Sequence, residues 1–202
     1  NNRFMVETLI ERLNGLVYPD QMPDYLINRI NAVSELRNFS EGSHILRRGQ
    51  ICNGAFFLSR GLARSYYLNE KKEVTSRLME EGFIITSWLS FYKQQPSAEY
   101  IIAMEDCETV FLNHRDITAL YQEFPLFNVI GRRQVEYSFC QAEMRTQMLR
   151  GLTTVQRYEF FCDNHPTLLR RVPLKYIASY LGMSDESLSR RRSAYKRKQM
   201  IP

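Results

Sequence analysis

The sequence predicts an α+β protein: an antiparallel β-roll of jelly-roll type, a long connecting helix that serves dimerisation, and a C-terminal winged helix-turn-helix-type domain. Three observations lead to this. Short β-like runs separated by turn residues occupy residues 39–112, a helical pattern extends from Pro125 to Arg150, and two short helical segments flank Gly182. We therefore expect a β-domain over residues 1–124, a connecting helix over 125–151 and a helix-turn-helix domain over 152–202.

The N-terminal part of the chain predicts helices followed by strands. Leucine spacing favours two helices within residues 4–36, separated by a proline-containing break at 19–23. The β-like runs that follow are residues 45–46, 55–58, 62–68, 74–79, 100–104 and 109–112. Glycines and an asparagine separate these runs at intervals that suit an antiparallel sandwich or barrel.

The long helix has a proline in its first turn, and Gly151 is the expected end. Its apolar residues form two stripes, so we expect one stripe to pack on the β-domain and the other on a second subunit. The alternative is a single helix buried within one monomer. The first stripe is Val135, Phe139, Ala142 and Leu149, and the second is Tyr137, Met144 and Met148.

The segment around Gly182 has the spacing of a helix-turn-helix. Glycine suits the reversal between the helices because a positive φ is costly for other residues. Ser184 is then a natural N-cap for the second helix, and Asp185 and Glu186 complement its dipole. The second helix presents Glu186, Ser189, Arg190 and Ser193 on one face, which we expect to point at base edges.

Charge is concentrated at the same end of the chain. Residues 170–198 hold nine basic and two acidic residues, so the chain's net charge of +5 leaves −2 for the remainder. A basic end on a slightly acidic body is typical of nucleic-acid binding, because bound phosphates release counterions. The alternative is an amphipathic helix pair with a solvated basic end.

Other function classes find little support. The four cysteines form no Cys-x-x-Cys pair, which argues against zinc or an iron–sulfur cluster. His44, His114 and His165 lack a recognisable catalytic spacing, and no phosphate-binding glycine motif occurs, so we do not expect an enzyme. Without an apolar run of roughly 18 residues or a signal pattern, we expect a cytoplasmic protein with no membrane partner.

From about Leu9 to Tyr195 the chain resembles the Crp/Fnr family of bacterial transcription regulators. The resemblance rests on the order and spacing of several short motifs. They are Glu41-Gly42, Arg48-Gly49-Gln50, Phe56-Phe57-Leu58, Gly61-Leu62-Ala63-Arg64 and Glu81-Gly82 in the β-domain, and Tyr176-Ile177-Ala178-Ser179-Tyr180-Leu181-Gly182 and Ser184-Asp185-Glu186-Ser187-Leu188-Ser189-Arg190 at the C-terminus.

The resemblance implies a homodimer, joined through the long helix, that places one recognition helix per subunit in successive major grooves of double-stranded DNA. RNA polymerase would be a further partner. Glu186 and Arg190 match base-reading positions, while Lys175, Ser184, Ser187 and Arg192 are expected phosphate contacts. Asp185 replaces a residue that is often basic in the family, so the operator sequence does not carry over. Arg191 falls where the family has an aliphatic residue, on the buried stripe.

The resemblance also implies a cyclic-nucleotide-binding-like effector domain. Thr86 and Ser87 stand at the positions of the family's Gly-Glu pair, and Ser97 and Ala98 at those of its phosphate-binding Arg-Ser pair. Since the arginine is missing, we expect no useful affinity for cyclic AMP. Thr86, Ser87, Trp88 and Ser97 could line a site for another small molecule, or the pocket could be filled by its own side chains. No cofactor is evident.

Two functions follow. The first is a dimeric, sequence-specific DNA-binding transcription regulator whose effector is unknown. The second is a small-molecule sensor that acts through protein partners and whose helix-turn-helix has lost DNA contact. Only Arg191 on the buried stripe supports the second function.

Overall fold

The computed structural model describes residues 2–199 of the 202-residue chain. Its contacts divide the chain into two compact units. The first comprises Asn1–Ser65 and Met79–Ser138, and the second comprises Tyr66–Leu78 and Phe139–Pro202. This division differs from the three consecutive segments expected, because residues 66–78 group with the C-terminal helices and the boundary cuts the long helix.

Two helices begin the chain, as predicted. α1 is Asn2–Val17 and α2 is Asp24–Val33. They bury their apolar faces, including Leu9 and Leu13 of α1, and α1 packs on strands of the first sheet. The helical lead-in therefore contributes to the hydrophobic core of the first unit.

Eight strands lie in the described part of the chain. They are β1 Glu35–Phe39, β2 His44–Leu46, β3 Gly54–Arg60, β4 Ala63–Asn69, β5 Lys72–Met79, β6 Ile84–Ile85, β7 Tyr100–Ala103 and β8 Cys107–Asn113. Six of them confirm predicted runs. β1 was predicted in part as the end of the second helix, and the two-residue β6 was missed because so short a strand has no periodicity to recognise.

The strands form two four-stranded sheets of the expected β-roll. The orders are β1-β8-β3-β6 and β2-β7-β4-β5. In the first sheet β8 lies antiparallel to β1 and β3, with Phe56 of β3 opposite Phe111 of β8. The alternate residues Phe57 and Val110 are also buried, since α1 and the helix that follows β8, α4 (His114–Glu123), cover that face of the sheet.

All described elements after β8 are helices. They are α4 His114–Glu123, α5 Pro125–Gly151, α6 Thr154–Asn164, α7 Leu168–Arg171, α8 Leu174–Leu181 and α9 Asp185–Gln199, and the short α3, Trp88–Lys93, lies between β6 and β7. The predicted bounds of α5 are confirmed. A capping box of Thr153 and Gln156 opens α6. Within residues 114–199 no strand accompanies the helix-turn-helix, so the expected wing is not found there.

Candidate nucleic-acid interface

The helix-turn-helix of α8 and α9 encloses a small apolar core. Ile177, Ala178 and Leu181 of α8 are fully buried, as is Leu188 of α9. Met183, in the turn, is half-buried. α8 packs against both α6 and α9, and α6 also packs on α9. The three helices therefore share one core, which fixes the direction of α9.

Gly182 is required for two separate reasons. The first is its φ of +63°, a left-handed conformation that ends α8. This turn lets the Met183 amide donate to the Ala178 carbonyl oxygen at 3.0 Å. A Cβ at this position would also lie only 3.2 Å from Cδ2 of Leu149. The reversal thus depends on both the backbone conformation and the close approach of α5.

Ser184 caps α9, as predicted. Its Oγ accepts a hydrogen bond from the Ser187 amide at 3.2 Å. The pKa of Glu186 is lowered, chiefly by a hydrogen bond from its own backbone amide and then by one from the Ser184 side chain. The exposed Glu186 side chain is therefore a carboxylate at neutral pH, the form that accepts from cytosine in a major groove.

The predicted DNA-binding side chains lie on the surface of the second unit. Glu186 and Arg190 follow each other by one helical turn, and Nε of Arg190 lies 3.4 Å from the Glu186 carbonyl oxygen. Ser187 is half-buried. The other predicted contacts are exposed: Lys175, Ser184, Asp185, Glu186, Ser189, Arg190 and Arg192.

Arg191 lies along the boundary between α6 and α9. Its side chain is half-buried and lines a cavity of about 160 Å³ together with Tyr158 and Tyr195. Nε of Arg191 is buried and has no hydrogen-bond partner among the described residues. The stem therefore lies over the apolar surface of α6, and Leu188 keeps its buried position.

Arg157 of α6 was not singled out from the sequence. Its guanidinium donates to three carbonyl oxygens: Nη1 to Leu181 at 3.1 Å, Nε to Leu152 at 2.9 Å and Nη2 to Leu149 at 2.5 Å. These carbonyls belong to the end of α8 and the region where α5 ends. A cation there compensates the negative ends of both helices.

Most residues of the two apolar stripes of α5 are exposed in the single chain. Phe139 is 64% exposed, and Val135, Tyr137, Ala142 and Met144 are also exposed. Met148 is buried at 4% and Leu149 is half-buried.

The four residues expected to line an effector pocket do not surround one cavity. Ser87 and Ser97 are buried, with their Oγ atoms 3.1 Å apart, and the amide of Glu99 donates to the Ser97 hydroxyl. Thr86 donates to the Gly54 carbonyl oxygen at 3.2 Å. With Trp88 it lines a separate, mostly apolar cavity of about 80 Å³ against α1 and α5.

Comparisons with known proteins identify the fold. Residues 36–124 match the model of the cyclic nucleotide-binding domain. Among solved structures, FixK2 of Bradyrhizobium japonicum is 14% identical, covers 84% of this chain and 88% of its own, and superposes with a TM-score of 0.70. The c-di-GMP responsive global regulator CLP of Xanthomonas campestris is 14% identical. Its match covers 88% of this chain and 94% of the CLP chain, also with a TM-score of 0.70.

The Catabolite Activator Protein of Thermus thermophilus is similar over 93% of this chain and 89% of its own, with 17% identity and a TM-score of 0.55. The chain has the fold of the Crp/Fnr regulators. No curated protein sequence matches the chain.

Although the domain matches, the arginine expected to bind a nucleotide phosphate is missing from the corresponding stretch of this chain. Residues 85–99, where the resemblance leads us to expect the phosphate-binding pair, contain no arginine. Arg64 of β4 is a buried cation in the same unit, only 2% exposed, and the sequence pattern gave no sign of its burial. Among the described residues, no His, Cys, Asp and Glu group could hold a metal ion, and no helix is long and apolar enough to span a bilayer.

Proposed function

We propose that this protein is a dimeric, sequence-specific DNA-binding transcription regulator of Crp/Fnr type, with an effector domain that does not bind cyclic AMP. One observation carries the proposal. Glu186 and Arg190 are exposed on a serine-capped helix whose opposite face is anchored by the fully buried Leu188. This arrangement holds the two side chains best suited to read bases on a rigid element.

The roles of the individual side chains follow from their chemistry. Arg190 can donate two hydrogen bonds to guanine, and Glu186 can accept one from the cytosine amino group. Lys175, Ser184, Ser187 and Arg192 position the helix by contacting phosphates, and Asp185 and Ser189 border the same face. The basic C-terminal end adds the sequence-independent attraction to DNA.

The exposed apolar surface of α5 supports the dimeric form of this proposal. Residues 135–144 present two exposed apolar stripes, and an apolar helix surface of this kind favours pairing with a second copy in water. A two-fold dimer would place two recognition helices about 34 Å apart. RNA polymerase is the further partner we expect for a regulator bound at a promoter.

The effector of the proposed regulator would be a small molecule other than cyclic AMP. The buried hydroxyls of Thr86, Ser87 and Ser97 are already hydrogen-bonded within the protein, which argues against a phosphate at these positions. The second candidate, a sensor with a degenerate helix-turn-helix, loses its basis because the half-buried Arg191 leaves the α9 core intact.

The test is a gel-shift titration on the best site recovered from a random DNA pool, compared with a scrambled duplex. We expect Arg190→Ala to reduce the ratio of affinities for the selected and scrambled duplexes by about 5- to 150-fold. Arg150→Ala, an exposed arginine at the end of α5, is the matched control. Unchanged preference in Arg190→Ala would remove the base-reading role, and equal binding to both duplexes by the unaltered protein would overturn the proposed function.

A further inference from the structure

The β4–β5 hairpin belongs to the compact unit that contains the helix-turn-helix. Residues 66–78 group with Phe139–Pro202, although residues 79–138 of the first unit lie between them in the chain. β5 is an edge strand of its sheet, so backbone groups on its outer side lack a neighbouring strand. Helix α8 supplies the missing partner: the Thr75 amide donates to Oγ of Ser179 at 2.9 Å, and this hydroxyl donates to the Glu73 carbonyl oxygen at 3.2 Å.

Arg145 of α5 binds both β5 and α8 at this contact. Its Nη2 donates to the Thr75 carbonyl oxygen at 3.0 Å and to the Tyr180 carbonyl oxygen at 2.9 Å. The guanidinium carbon also lies 4.6 Å from the centre of the Tyr180 ring. One arginine therefore joins the strand and the helix, and charge-assisted hydrogen bonds of this kind are the stronger ones.

These contacts place the hairpin tip (residues 69–72) beside the first helix of the helix-turn-helix. Lys72 directly precedes Glu73, whose carbonyl is bound by Ser179, and both Lys71 and Lys72 are exposed. In helix-turn-helix complexes the first helix crosses the DNA backbone while the second enters the groove. Lys72 is also near enough to Glu186, at the start of α9, to contribute to the lowered pKa of that carboxyl group.

We propose that the hairpin tip is a second DNA-backbone contact, in which Lys71 and Lys72 bind phosphates flanking the bases that α9 reads. This inference rests on the proposed function. Glu70 and Glu73 flank the two lysines, so the hairpin acts through close point contacts rather than a broad positive field. The Ser179 and Arg145 bonds hold it in place for those contacts.

The test measures how DNA affinity depends on salt. Each phosphate contact contributes about 0.9 to the slope of log Kobs against log salt concentration. We expect the double variant Lys71→Ala with Lys72→Ala to lower the slope by about 1 to 2, with an equal loss of affinity for the selected and scrambled duplexes. The pair Lys71→Arg and Lys72→Arg keeps the charge and should keep the slope. Lys93→Ala, an exposed lysine of the first unit, is the control.

The outcomes separate this inference from the function it rests on. If the unaltered protein shows no preference for any duplex, the proposed function fails. If it binds selectively but the double alanine variant has an unchanged slope, only the hairpin contact fails. Tighter binding by the double variant would also overturn the inference, because the hairpin would then mask α9 instead of assisting it.

A second variant tests the anchoring without touching the lysines. Arg145→Met removes both hydrogen bonds to the Thr75 and Tyr180 carbonyls while keeping a long side chain. We expect faster amide hydrogen exchange at Thr75 and a slope reduced in the same direction as in the lysine variant. A faster exchange with an unchanged slope would show that the hairpin is docked but does not touch DNA.

Discussion

The Arg157 side chain donates to the carbonyl oxygen of Leu181, the last residue of α8, from a position on α6. The same guanidinium binds Leu149 and Leu152, where α5 ends. A single cation thus connects the C-terminal end of the long helix with the helix that precedes the recognition helix. Within this unit, a displacement of the end of α5 would be passed to α8 through hydrogen bonds as well as through packing.

We expect Arg157→Met to destabilise the second unit strongly. Methionine keeps much of the length but none of the donors, which leaves three carbonyl oxygens without their charged partner. The free energy of unfolding should fall by roughly 2 to 4 kcal/mol, measured by urea denaturation. Arg150→Met, on the exposed surface near the end of α5, should change it by less than about 0.5 kcal/mol. Equal effects of the two variants would contradict the role of Arg157.

Local signals in the sequence predicted the elements of the DNA-binding half well. Gly182 and Ser184 carry short-range information, since a left-handed turn and a serine cap each depend on neighbouring residues. The capping box at Thr153 is another example, and both of its hydrogen bonds are present. Such features can be predicted because the residues that form them are at most a few positions apart.

Long-range pairings were not predictable in the same way. Nothing in the periodicity of residues 66–78 indicates that Thr75 meets Ser179, and nothing around Arg157 indicates three carbonyl partners. The residues expected to line an effector pocket illustrate the same point: Ser87 and Ser97 are polar, but their hydroxyl oxygens lie 3.1 Å apart and bind each other. Which hydroxyls meet depends on the fold of the whole sheet and not on the local sequence.

Phe139→Glu should dissociate the dimer. Phe139 is largely exposed in the single chain, and a carboxylate in an apolar helix interface would be costly to bury. We expect the unaltered protein to have twice the mass of one chain in light scattering at micromolar concentration, and the variant to be monomeric. Gln147→Glu, exposed near the end of the same helix, tests whether added charge alone has this effect. A monomeric unaltered protein would disprove dimerisation through α5.

Cys140 should be the first of the four cysteines to react with a thiol reagent. It is exposed on α5, whereas Cys52, Cys107 and Cys162 are buried. Burial raises the pKa of Cys107 to about 11 and also raises that of Cys162, so these thiols stay protonated in mildly alkaline solution, where the reactive form is the thiolate.

This prediction is best checked in the Phe139→Glu chain, in which no partner helix should cover Cys140. With Ellman's reagent we expect one fast thiol, and three that react only as the protein unfolds. Cys140→Ser should remove the fast reaction. A fast reaction that survives this substitution would contradict the burial of the other three.

Calorimetry should show no binding of cyclic AMP or cyclic GMP. The stretch from 85 to 99 offers no arginine, and the hydroxyls of Thr86, Ser87 and Ser97 are already engaged. A buried phosphate without a paired cation would carry a large desolvation cost. Micromolar affinity for either nucleotide would show that another cation of the domain reaches the ligand.

Selection of bound sequences from a random pool of double-stranded DNA tests the central claim most directly. A dimer that reads bases with Glu186 and Arg190 should enrich a palindrome containing G·C pairs, with half-sites about 34 Å or 10 base pairs apart. This result would report base reading, two-fold symmetry and spacing together. A pool that gains no common sequence after repeated rounds, while the protein remains folded and dimeric, would contradict the account.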